Sequence, residues 1–113
     1  MPREQKSLAS RIVELAESIA SQEGLSPPNT LVVVVDRLYK PKLGFMEGLD
    51  VDPASNTLIV EKSTLDNMVY RILAGVFYLS YWNTFGVSDS TRAKELARKH
   101  FFKALVALSK GSS

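Results

Sequence analysis

Residues 63–86, STLDNMVYRILAGVFYLSYWNTFG, decide how this chain folds. Between Met68 and Phe85 the one charge is Arg71, so nearly every face of a helix built here leaves water. Ser63 followed three positions later by Asp66 has the form of a capping box, and Gly86 suits the far end as a cap. The stretch reads as the central core helix, with Leu65, Val69, Ile72, Val76 and Leu79 on its core side. Arg71, Gly75, Ser80, Asn83 and Thr84 interrupt the run, which falls short of the roughly 18 to 20 clean residues a bilayer crossing requires. No membrane partner is expected.

Upstream, residues 4–23 place Leu8, Ile12, Leu15, Ala16 and Ile19 at helical spacing, with Arg11, Glu14, Glu17, Ser18 and Ser21 on the other side. That is an amphipathic helix, ended by Gly24, Leu25 and the pair Pro27-Pro28. Residues 30–37, TLVVVVDR, have no polar alternation, as in a strand buried on both faces. A polar connection broken by Pro41 follows. Then FMEGLDV and TLIVEK flank Asp52-Pro53-Ala54-Ser55-Asn56, a β-hairpin with a loop of about five residues. Gly44 and Gly48 weaken the first of these two strands and mark a bulge or an edge. Downstream, residues 89–109 carry Ala93, Leu96, Ala97, Phe101, Ala104 and Leu108 on one stripe, entered through Ser88 or Ser90 and left through Gly111. The polar tail, Lys110 to Ser113, is expected to fray.

The expected fold class is therefore α+β: one domain over residues 1–113, with a helix, a three-stranded sheet, a buried central helix and a closing amphipathic helix. A length of 113 residues with 45% hydrophobic composition suffices for one core and leaves no room for a second domain. Absence of cysteine removes disulfides, thiolate nucleophiles and cysteine metal sites. With His100 as the single histidine, imidazole chemistry is equally thin. The first ten residues, MPREQKSLAS, put charges where a secretory segment needs an apolar run, so no signal peptide and a cytoplasmic location are expected. A net charge of +2 permits a nucleic-acid partner without arguing for one.

The order helix, strand, hairpin, apolar helix, closing helix over roughly residues 8–108 resembles the minimal core of zincin-type metallopeptidases. In that family the helix after the third strand carries a His-Glu-x-x-His motif, whose imidazoles hold zinc while the Glu activates water. The matching stretch here is Tyr70-Arg71-Ile72-Leu73-Ala74, with no histidine and a cation where the general base belongs. Glu95 is an isolated match to the family's third ligand. What the resemblance implies is a domain that kept the scaffold and lost the metal, so neither catalysis nor a cofactor is expected.

Asp50, Asp52 and Glu61 fall at the first, third and twelfth positions of a calcium loop. Ala54 at a ligand position, Ser55 at the turn glycine and the rigid Pro53 favour a polar hairpin turn instead. His100 has no carboxylate one helical turn away to orient it and reads as a half-buried packing residue. No glycine-rich phosphate loop opens a helix.

Two surfaces remain. Asn67, Arg71, Gly75, Tyr78 and Trp82 form a stripe along the central helix, of residue types enriched where partners bury surface. Read as an interface, it makes the chain a non-catalytic interaction or assembly module that self-associates or binds another protein; read as core, it is covered by a neighbouring helix. Arg92, Arg98, Lys99 and Lys103, with Lys94 and Lys110, give the closing helix a basic character that could contact nucleic-acid phosphates or simply be solvated.

Overall fold

The computed structural model describes residues 7–39 and 45–111. Its organising element is α2 (Leu65–Phe85), which is buried continuously from Ile72 to Ser80. The elements in chain order are α1 (Leu8–Gln22), β1 (Leu31–Val35), β2 (Leu49–Asp52), β3 (Thr57–Glu61), α2 and α3 (Ser90–Gly111), an α+β fold as the residue pattern predicts. α2 packs on β2 and β3 on one side and on α1 and α3 on others. This arrangement explains its composition, because a helix surrounded by other elements has no face to leave polar.

The helix ends follow from local chemistry. Ser7, not a residue near position 4, caps α1 by accepting from the Ser10 amide at 3.1 Å. At the other end Gly24 sits at φ 81°, with Gly24 N–H donating to Ser21 O and Leu25 N–H to Ala20 O, a Schellman closure that buries Leu25. The buried face of α1 is Ala9, Ile12, Val13, Ala16, Ile19 and Ala20; it is rotated from the expected stripe, so Leu8 is exposed and Leu15 half-buried. α2 is capped by Thr64 rather than Ser63: Thr64 accepts from the Asn67 amide, while Ser63 Oγ accepts from the Asn67 side chain at 2.9 Å. Gly86, at φ 73°, ends it as expected. α3 is capped by Asp89, which accepts from the Arg92 amide at 2.9 Å, rather than by either flanking serine. Its helix continues through Gly111, beyond the expected exit. Ala93, Ala97 and Ala104 are fully buried on it, and such small residues let α3 lie close to its neighbours.

The sheet has the order β1-β3-β2, with β3 parallel to β1 and antiparallel to β2. Asp52 pairs with Thr57 across a four-residue loop in which Asn56 takes the left-handed conformation at φ 52°. Leu49, Val51, Leu58 and Val60 face α2 and are buried. Gly75 of α2 sits so close to them that a Cβ there would lie 2.7 Å from Leu58 Cδ2 and 3.4 Å from Leu49 Cδ2. The sheet order overturns one expectation. β1 is not buried on both faces but lies at the sheet edge, with Leu31, Val33 and Val34 exposed, because β3 takes the central place. Gly48, at φ 78°, precedes β2 as an irregularity there should, and a Cβ on it would overlap the Arg71 guanidinium. Pro41 and Gly44 lie outside the described residues, as do the outermost tail serines.

Candidate functional site

The aromatic stripe of α2 is not one open surface. Arg71 is half-buried and donates from Nη1 to Glu61 O at 3.0 Å, over Gly48. Gly75 and Tyr78 are buried, Gly75 against the sheet and Tyr78 edge-on to Phe45 at 4.9 Å. Asn67 is exposed but occupied at the helix start with Ser63. Beyond Asn67, the stripe reaches solvent at its far end, where Trp82 is 43% exposed and is followed by the exposed Phe85 and Val87. The stripe is thus mainly the seam between helix and sheet, for which a glycine and a flat ring are equally suited.

The basic residues of α3 are dispersed among other contacts. Lys99 Nζ pairs with Glu23 Oε1 at 3.0 Å, and Arg92 Nε lies 3.5 Å from its cap Asp89. Lys94 Nζ sits over the Phe45 ring at 5.1 Å, and Arg98 borders a shallow groove with Tyr70, Phe101, Asp66 and Asn67. Lys103 is exposed. His100, without an acid on its own helix, meets one from α1: its Nε2 lies 2.8 Å from Glu23 Oε1. Hydrogen bonds from His100 and then Lys99 hold the Glu23 carboxyl below the usual carboxylate range. This cluster ties α3 to the end of α1; 77 residues separate its two ends, so no sequence spacing reveals it.

The calcium-loop carboxylates work within the hairpin. Asp52 accepts from the Ala54 amide and from Ser55 Oγ, Glu61 accepts from the Leu38 amide at 3.0 Å, and Asp50 is buried in β2. At the positions matching the zincin motif, Tyr70 packs edge-on to Phe101, Arg71 serves Glu61, and Ile72, Leu73 and Ala74 are in the core. Glu95 is exposed on α3 beside Tyr81, Arg92 and Lys99. Among the described residues no three His, Cys, Asp or Glu side chains are grouped to hold a metal ion. No described helix is long and apolar enough to cross a membrane.

The surface that stands out is one the sequence pattern does not single out. Leu31 is 62% exposed, Val33 48% and Val34 42%, on a strand with neither charge nor proline. Its backbone alternates in use. Leu31 N–H donates to Asn56 O at 2.9 Å and Val35 O accepts from Lys62 N–H at 2.8 Å, which in a parallel ladder assigns Leu31, Val33 and Val35 to β3. The N–H and C=O groups of Val32 and Val34 therefore point away from β3, along the open edge. Beyond them Thr30 N–H is taken by Glu17 Oε2 at 3.1 Å, so the open row begins at Val32. A groove of about 350 Å³ lies at the start of this edge, between α1 and β1, lined among the described residues by Ser10, Val13, Glu14, Glu17, Thr30, Leu31 and Val32.

One signal in the sequence does bear on this edge. The long connection after Val35, which contains Pro41, leaves β1 no tight turn for a hairpin with β2, without choosing its neighbour in the sheet. Comparison of the chain with protein-family models, curated proteins and solved structures yields no match.

Proposed function

We propose that this chain is a non-catalytic interaction module that binds polypeptide by adding a strand to the β1 edge of its sheet. The observation that carries this reading is the edge itself: an uncharged strand with Val32 and Val34 backbone groups turned outward and aliphatic side chains in solvent. Sheet edges left in this state are templates for another chain, and proteins that need to avoid pairing place lysine, proline or a bulge there. The assembly expected from the aromatic stripe keeps its class but moves its surface, with Trp82, Phe85 and Val87 left as a separate apolar end of α2.

Val34→Pro tests the proposal. Its N–H faces away from β3, so proline there spares the ladder, as it does on edge strands generally. The variant should melt within a few degrees of the wild type while losing an outward donor. With an uncharged peptide alternating valine and threonine, the wild type should show amide chemical-shift changes centred on residues 31–35, and Val34→Pro should abolish them. Binding that is unaffected by Val34→Pro, or shifts elsewhere on the fold, would count against the β1 edge.

A further inference from the structure

Beyond the β1 edge, we propose that a groove between α2 and α3 binds a small aromatic molecule carrying an anionic group at one end of its ring and an amino group at the other. The groove measures about 340 Å³ and is lined, among the described residues, by Asp66, Asn67 and Tyr70 of α2 and by Arg98 and Phe101 of α3. That volume suits a ligand of about one ring. Tyr70 and Phe101 are half-buried, with ring centroids 6.5 Å apart and planes at 76°, so each keeps part of its surface for a further ring. Offset or edge-on contact with such rings covers a flat ligand but does not decide which way round it lies.

Charge decides that. α2 and α3 run antiparallel: Phe77 meets His100 at 6.4 Å, and one turn further along α2, Tyr81 lies beside Glu95 and Leu96, earlier in α3. Asp66 and Asn67 stand about one turn before Tyr70, toward the C-terminal end of α3, whereas Arg98 stands about one turn before Phe101, toward its N-terminal end. Opposite charges therefore lie toward opposite ends of the groove, with the aromatic pair between them. Both side chains are exposed, and no ion pair joins them to each other.

A ligand carboxylate at Arg98 meets a planar guanidinium that can donate two parallel hydrogen bonds. At the other end a ligand ammonium finds the Asp66 carboxylate and the Asn67 side chain. Asn67 gives its amide nitrogen to Ser63 Oγ at 2.9 Å, and its oxygen remains an acceptor. A ligand with only one of the two charges leaves the opposite pole of the groove without a counterpart, and a nucleic-acid strand would bring phosphates past Asp66.

Three compounds of similar shape test the assignment: 4-(aminomethyl)benzoate with both charges, 4-methylbenzoate with the anion alone, and 4-methylbenzylamine with the cation alone. Each is titrated into the isotope-labelled full chain and followed by amide chemical shifts. The first should bind at about millimolar concentration, with shifts centred on Asn67, Tyr70, Arg98 and Phe101, and about threefold or more tightly than either of the others. Arg98→Gln should lower its affinity to that of 4-methylbenzylamine, and Asp66→Asn to that of 4-methylbenzoate. Both substitutions are at exposed positions, so the core is left as it is. Equal affinity for the three compounds, a ranking that neither substitution changes, shifts centred elsewhere on the fold, or no shift at about 20 mM would each overturn the proposal.

Discussion

Gly75→Leu should melt roughly 10 to 20 °C below the wild type, since a net loss of about 2 to 3 kcal/mol in a domain of this size shifts the midpoint by that amount. The loss has a steric origin. A Cβ at this position already falls 2.7 Å from Leu58 Cδ2 and 3.0 Å from Cδ1, and Leu58 is itself fully buried, so neither side can yield without disturbing the core. Helix propensity works the other way, favouring leucine over glycine by up to about 1 kcal/mol. The sign of the change therefore decides what the stripe is. If Gly75 lay on an open interface, propensity alone would act and the variant would melt higher. Thermal unfolding followed by circular dichroism gives the answer directly.

Phe77→Ala should be the most damaging truncation, costing about 3 to 5 kcal/mol of a total stability that for domains of this kind is about 5 to 15 kcal/mol. Phe77 is the largest of the fully buried side chains, in the middle of α2, with His100 of α3 edge-on at 6.4 Å. Its removal leaves a cavity bounded by elements that also hold one another, so collapse into the space is limited. Urea unfolding should show the midpoint falling with an unchanged slope. Phe102→Ala makes the contrast: that ring is 75% exposed on α3, and its loss should change stability by no more than about 0.5 kcal/mol. Similar losses at Phe77 and Phe102 would contradict the assignment of α2 as the centre of the core.

What the sequence makes legible here is what depends on neighbours along the chain. The uniform apolarity of residues 68–85 identifies the central helix, Gly24 and Gly86 end helices where they should, and Asp52 to Asn56 form a turn. Caps are legible to within a residue, because Ser63 and Thr64, or Ser88, Asp89 and Ser90, are chemically able to do the same work and geometry chooses among them. Facts that depend on distant pairing are not legible. Four valines after a leucine fit a central strand and an edge strand equally well, and only the insertion of β3 between β1 and β2 leaves Leu31, Val33 and Val34 in solvent. The stripe from Asn67 to Trp82 has the composition of an interface because Gly75 and Tyr78 do meet a partner surface, namely the sheet and Phe45 of their own chain. Likewise Lys99 and His100 find their acid on α1, so a basic helix read by itself overstates its free charge.

The most direct measurement is amide hydrogen exchange along β1, residue by residue, in the free protein and with the valine-threonine peptide bound. In the free protein Val33 and Val35 should exchange slowly, held by β3, while Val32 and Val34 exchange fast from the open edge. On binding, Val32 and Val34 should slow and the others change little. If Val32 and Val34 are already protected in the free protein, or stay fast when peptide is bound, the β1 edge is not where this chain receives its partner.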